Sequence, residues 1–178
     1  MTEPKLLPVI WLTGNTGAGK STLAFAMREF FNCRAPLEHS LSRRIIVLDG
    51  DEMRASISVD EGLSPEDRRR HNLRVARLAK LLHEAGHMVI VAVIAPFERV
   101  RSETSAICSP LWVYIKRSGL EAHDRPYEPP ASPDAVIDND ALSREEAQEQ
   151  LRQFLESVSS RSMQGESRLH AGLTASSQ

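Results

Sequence analysis

The residues Gly14-Asn15-Thr16-Gly17-Ala18-Gly19-Lys20-Ser21 satisfy the spacing G-x-x-x-x-G-K-[ST]. Glycines at these places let the backbone curl until several N–H groups and the start of the following helix converge on one point, which suits phosphate oxygens. Lys20 is expected to reach the β and γ phosphates, with Ser21 ligating Mg²⁺ and Thr22 closing the run. An Asn-Lys-x-Asp segment that would read guanine is missing from the chain, so the GTPase class drops away and ATP is the expected nucleotide.

A second group follows at Asp49-Gly50-Asp51, with Arg54 one helical turn on. Two carboxylates close together divide the labour of phosphoryl transfer. One can hold Mg²⁺ while the other orients or deprotonates an acceptor hydroxyl. Ser21 with Asp49 is the expected metal pair and Asp51 is favoured for the acceptor, although sequence alone leaves open which aspartate is the base. The candidate catalytic set is therefore Lys20, Asp49 and Asp51. Arg54 and Arg68 carry guanidinium forks suited to phosphate or sulfate oxygens.

Other constellations read as ordinary structure. His83-Glu84-Ala85-Gly86-His87 fits H-E-x-x-H, but Gly86 should stop the helix, so the imidazoles diverge and no zinc centre is expected. Arg68, Arg69, Arg70, Arg74, Arg77 and Lys80 form a cationic stripe that reads as a solvated helix face, with Arg68 and Arg74 the ones suited to an inward role. His123 and Asp124 find no third group for a triad and read as surface. For Tyr127 and Phe97, core packing outweighs contact with a base.

These residues need elements to position them. Apolar, β-rich runs at 9–13, 45–49, 88–95, 111–115 and 135–137 barely alternate, which predicts strands buried on both faces of a parallel sheet. Helical segments lie between most of them. One follows the glycine loop over 22–31. Another starts at Ser64-Pro65-Glu66-Asp67, with Ser as N-cap and Pro at the first helical position, and ends at Gly86. A capping box at Ser143-Arg144-Glu145-Glu146 opens a last helix. The expected fold is α/β: a three-layer P-loop NTPase fold with a five-stranded parallel sheet flanked by helices.

With 178 residues, 41% hydrophobic and 26% charged, the chain has the size of one domain. A single domain is expected over 1–158, and the Ser-rich segment 159–178 reads as a loose polar tail. A net charge of −2 argues against a broad nucleic-acid surface, so any anion site is local. Cys33 and Cys108 make no disulfide framework. No signal pattern opens the chain and its longest apolar run is too short to cross a bilayer, so a cytoplasmic protein without membrane partners is expected.

Several stretches in succession resemble the adenylylsulfate kinase family: Asp49-Gly50-Asp51-x-x-Arg54, Gly62-Leu63-Ser64-Pro65-Glu66-Asp67-Arg68, Ala79-Lys80-Leu81 through Ala85-Gly86, Val93-Ile94-Ala95-Pro96-Phe97, Pro126-Tyr127-Glu128-Pro129-Pro130 and Pro133-Asp134-Ala135-Val136-Ile137. The resemblance implies phosphorylation of the ribose 3′-hydroxyl of adenylyl sulfate by ATP. It also implies acceptor contacts at Asp51, Arg54, Leu63, Arg68, His71, Ile94 and Ala95. The chain departs from the family at several of these places. Leu63 replaces an aromatic residue that stacks on adenine, His71 an asparagine, Leu73 the first arginine of a pair and Ala95 a serine. A long basic lid is reduced to the connection 116–125. Two alternatives follow: a kinase for another small anionic nucleotide or metabolite, and an ATP-binding regulator that transfers nothing. The short lid also leaves room for a homodimer that closes the site.

Overall fold

The computed structural model describes residues 8–33, 45–121 and 126–173. Five parallel strands form its centre: β1 (Ile10–Thr13), β2 (Ile45–Asp49), β3 (Met88–Ala92), β4 (Leu111–Lys116) and β5 (Ala135–Asp138), in the order β2-β3-β1-β4-β5. Register is set by pairs such as Trp11↔Val91, Leu12↔Val113, Leu48↔Val91 and Ile115↔Ile137. Alternate residues of each strand enter opposite cores. Ile10 and Leu12 face α1 (Lys20–Cys33) and α5 (Arg144–Leu173), whereas Val9 and Trp11 face α3 (Pro65–Glu84) and α4 (Glu98–Cys108). Burial on both faces explains why the strands show no polar alternation.

The helix starts follow local chemistry. Ser64 accepts from the Asp67 N–H at 3.2 Å while Asp67 accepts from the Ser64 N–H, a reciprocal capping box with Pro65 just inside. Ser143 and Glu146 repeat it at α5. A short α2 (Gly50–Ala55) is capped by Asp49, whose Oδ1 accepts from the Asp51 N–H at 3.0 Å. At the far end of α3 the chain turns at Gly86 with φ +89. His83 therefore lies on the helix and His87 beyond the turn.

One expected boundary is corrected, and helix lies in two stretches for which none was named. β3 ends at Ala92 instead of 95, because Val93 to Pro96 leave the sheet to wall the site described below. A helix, α4, fills the stretch after Phe97, where its first amide is capped from a distance by Glu128 and no local cap marks it. Past 159, where a loose tail is expected, α5 continues to Leu173, with no proline after Pro133 to stop it. Residues 174–178 of that tail, with His123 and Asp124, lie outside the described residues. Among the described residues no helix is long and apolar enough to cross a membrane.

Candidate functional site

The loop 14–19 leaves β1 at the carboxyl edge of the sheet, where β1 has β3 on one side and β4 on the other, the place at which open α/β sheets bind ligands. Its curl needs glycine. Gly14 (φ +150), Gly17 (φ +82) and Gly19 (φ +104) adopt backbone that side chains disfavour, and a Cβ on Gly14 would sit 2.3 Å from the Ile115 carbonyl oxygen. Lys20 opens α1, and its Nζ donates to the Gly14 and Asn15 carbonyls at 2.8 and 2.7 Å. Burial pushes the Lys20 ammonium down to a pKa of about 8, opposed by the charges of Asp49 and Asp51. Ser21 Oγ donates to Asp49 Oδ2 at 2.5 Å. Asp49 is thus buried and occupied on both oxygens, by Ser21 and by the α2 cap, while Asp51, in the first turn of α2, stands exposed.

A cleft of ≈ 680 Å³ opens in front of these groups. Thr16, Gly17, Lys20 and Ser21 line one part, with Asp49 and Asp51 beside them. Arg54, Leu63, Arg68, His71 and Ile94 line another. Asn15 meets Thr16, Arg68, Ile94 and Tyr127 around a narrow neighbouring gap. Gly14, Ala18, Gly19, Thr22 and Ala95 do not line the cleft. Ala95 is fully buried behind its wall, and Thr22 is exposed on α1.

The arginine stripe of α3 separates into paired and unpaired members. Arg69 is bound by Glu66 and Glu103, Arg70 by Glu61 and Asp67, and Arg74 by Asp60 and Glu61. The inward role open to Arg74 is therefore taken up by acidic partners. Arg54 and Arg68 have no carboxylate partner among the described residues; each donates to one carbonyl, of Gly62 at 3.0 Å and of Leu63 at 2.9 Å. Burial and the neighbouring Arg68 charge lower the Arg54 pKa against the pull of Asp51, Asp67 and Glu61.

His71 is 1% exposed and neither ring nitrogen has a partner. Burial, with Arg54 and Arg74 nearby, pushes its pKa down to about 4, so the ring is neutral at ordinary pH and presents one donor and one acceptor. Leu63 on the rim is 65% exposed. Leu73 is buried, an apolar core residue of α3. Tyr127 stacks on Tyr114 with ring centroids 6.0 Å apart and shares a 3.1 Å hydrogen bond with Thr13, while burial raises its pKa to about 12.

Sequence reasoning missed the brace on the other side of the glycine loop. Asn139, just after β5, donates from Nδ2 to the Ala18 carbonyl at 2.6 Å. Arg117 donates to the Gly17 carbonyl at 3.3 Å, and Leu120 lies against Gly17. Ser118 is bound through its N–H and hydroxyl to Asp140. The short connection after β4 and the loop after β5 thus support the loop from outside. No motif spacing announces the two bonds to the loop, because they join residues a hundred or more positions apart. Asn72, Val93 and Pro96 of the cleft wall were likewise not anticipated.

A parallel sheet of this strand order with a Gly-Lys-Ser loop opening α1 defines the P-loop nucleotide-binding class. The adenylylsulphate kinase family model matches residues 7–117. An adenylyl-sulfate kinase from Bacillus pumilus is 36% identical, with 83% of this chain and 84% of the relative covered. A probable adenylyl-sulfate kinase from Pyrococcus abyssi is 32% identical over 79% and 90%. Among solved structures, the Mycobacterium tuberculosis APS kinase CysC in complex with AMPPNP and APS superposes with TM-score 0.66 at 28% identity, covering 84% of this chain and 98% of that one. A hexameric APS kinase from Thiobacillus denitrificans gives TM-score 0.70 at 28% identity over 88% and 30%. The chain belongs to the adenylylsulphate kinase family. The match to the family model stops at 117, just past the end of β4 at Lys116.

Proposed function

We propose that this protein transfers the γ-phosphate of ATP to the 3′-hydroxyl of adenylyl sulfate, giving ADP and 3′-phosphoadenylyl sulfate. The observation that carries the reading is that one cleft joins the phosphate-binding loop to two cations, Arg54 and Arg68, without carboxylate partners among the described residues. A relative of the same fold has been solved with an ATP analogue and APS together.

In this reading the amides of 14–22 and the Lys20 ammonium hold the triphosphate. Ser21 Oγ and an Asp49 carboxylate oxygen form a hard oxygen pair suited to Mg²⁺. Held there, Mg²⁺ would supply positive charge to offset that of the phosphates during transfer. Because Asp49 is committed to Ser21 and the α2 cap, the base falls to Asp51. Its carboxylate takes the proton of the 3′-hydroxyl as the new O–P bond forms and the bond from Pγ to the leaving ADP oxygen breaks. Arg54 and Arg68 hold the acceptor's sulfate and phosphate oxygens. His71 contributes a neutral hydrogen bond, and Leu63 with Ile94 and Ala95 shapes the wall.

The test is to incubate the protein with Mg-ATP and adenylyl sulfate, follow ADP and the 3′-phosphorylated product, and repeat with Lys20→Ala. Acceptor-dependent ADP release that vanishes in the variant is expected. ATP binding without acceptor-dependent turnover overturns the reading. Exposed Leu63, with no ring to cover a base, favours as a second reading another small anionic acceptor, which a panel of sulfated and phosphorylated nucleotides would reveal. The short 116–125 connection supports closure by a second copy of the chain. Sedimentation is expected to show a homodimer, and a monomer at all concentrations sinks that part.

A further inference from the structure

After β3 ends at Ala92, the next four carbonyls are captured one after another by groups from three different parts of the chain: β1, α4 and the segment at Glu128. The Val93 carbonyl accepts from the Trp11 indole at 2.9 Å and the Ile94 carbonyl from the Thr13 hydroxyl. The Ala95 carbonyl accepts from Arg101 Nη1 at 3.0 Å and the Pro96 carbonyl from the Glu128 N–H at 2.8 Å. Val93, Ile94 and Pro96 line the cleft, and Ala95 is buried behind them.

The middle of this wall is strained. Ala95 has φ +46, left-handed backbone that a residue with a Cβ avoids, and it precedes a proline, which steers the preceding residue towards extended backbone. Such a conformation persists only where its surroundings over-determine it. Arg101 is the group aimed at it. Its side chain is 3% exposed, its Nη1 bonds the Ala95 carbonyl, and its Nε and Nη2 both bond Glu98 Oε2, at 3.1 and 2.7 Å. Glu98 is fixed in turn, since its own N–H donates to Glu128 Oε2 at 2.8 Å.

We infer that Arg101 is a positioning residue for the acceptor. From the first turn of α4 it clamps Ala95 in the left-handed turn and so sets where Ile94 and Pro96 meet the acceptor, without touching it. A guanidinium suits this task because its planar fork bonds the carbonyl and the carboxylate at once, a geometry that an ammonium does not reproduce. The inference rests on the proposed reading that the acceptor lies between Arg54, Arg68 and this wall.

Arg101→Met is expected to raise the KM for adenylyl sulfate about tenfold while the KM for ATP stays within about twofold, since the lost hydrogen bonds are charge-assisted and act on one side of the cleft only. Arg101→Lys should fall between. The decisive variant adds Ala95→Gly to Arg101→Met. Glycine adopts positive φ without strain, so the acceptor KM should return most of the way to wild type. Both KM values rising together, or no recovery with glycine, overturns the inference and leaves Arg101 as a packing residue. Should Arg101→Met not fold, Arg101→Lys with and without Ala95→Gly carries the same comparison. Amide exchange supplies a readout without substrate. Loss of the clamp should speed exchange at Ile94, Ala95 and Phe97 and leave α1 unchanged, and equal exchange at the wall sinks the inference. A wild type that exchanges as expected but does not use adenylyl sulfate would fail the functional reading alone.

Discussion

Lys20 is held out of water, and burial brings its ammonium to a pKa of about 8 against the pull of Asp49 and Asp51. A triphosphate needs the charged form, so above about pH 8 binding must first return a proton to Lys20. ATP titrated at pH 9 in two buffers of different ionisation enthalpy should therefore show proton uptake, and Lys20→Arg should show none; no uptake in the wild type would mean the lysine is charged throughout. His71 shifts by the same cause with a different consequence. Its folded pKa of about 4 lies below the ordinary 6.5, so its contribution to stability is present above pH 6.5 and is lost as pH falls towards 4. His71→Asn should lose less Tm than wild type between those two values. A parallel decline in both proteins would place the acid sensitivity elsewhere. At this scale Lys20, Ser21, Asp49 and Asp51 were legible because their chemistry is local and their spacing short. The different fates of Arg68 and Arg74, one without a carboxylate partner and one taken by Asp60 and Glu61, were not, because they depend on which acids the 56–63 loop brings near.

Elements that carry their own start signals could be read, and those held by distant groups could not. Ser64 and Asp67 cap α3 reciprocally, and Ser64→Ala should cost about 1 kcal/mol by denaturant titration, the usual worth of an N-cap. An unchanged midpoint would show that tertiary packing alone fixes where α3 begins. β1 and β4 make a tighter demand at the glycine loop. A methyl at Gly14 meets the Ile115 carbonyl oxygen at 2.3 Å in a backbone region already unfavourable to it, so Gly14→Ala should destabilise near or above the top of the ~0.5–3 kcal/mol typical of single changes. The start of α4 carries no local sign: Phe97 offers no side-chain cap, and Glu128, thirty positions on, supplies the bond instead. β3 looked longer than it is for a related reason. Val93 to Ala95 are apolar like a strand, but Trp11, Thr13 and Arg101 take their carbonyls before a neighbouring strand can. The extent of α5 had no sign in the sequence, because serine-rich composition marks no helix end and no proline follows Pro133.

Across the whole molecule the cleft has two supports of different origin. The phosphate loop is braced from the carboxyl-terminal side, by Asn139 after β5 and by Arg117 and Leu120 after β4. The opposite wall is braced by α4, by Trp11 and Thr13 of β1, and by the segment around Tyr127 and Glu128. Because the two braces share no residue, disturbing one should weaken one substrate and spare the other, as independent sites add without coupling. Asn139→Ala removes the 2.6 Å bond to Ala18, which shapes the curl that receives the phosphates, and leaves Val93 to Pro96 untouched. Its expected effect is a KM for ATP raised about three- to tenfold, the worth of a half-buried hydrogen bond that positions the loop, with the acceptor KM unchanged. Steady-state kinetics with each substrate varied in turn reads this directly. If Asn139→Ala raised both constants equally, the cleft would have to move as one body, and the division of labour between its two walls would be lost.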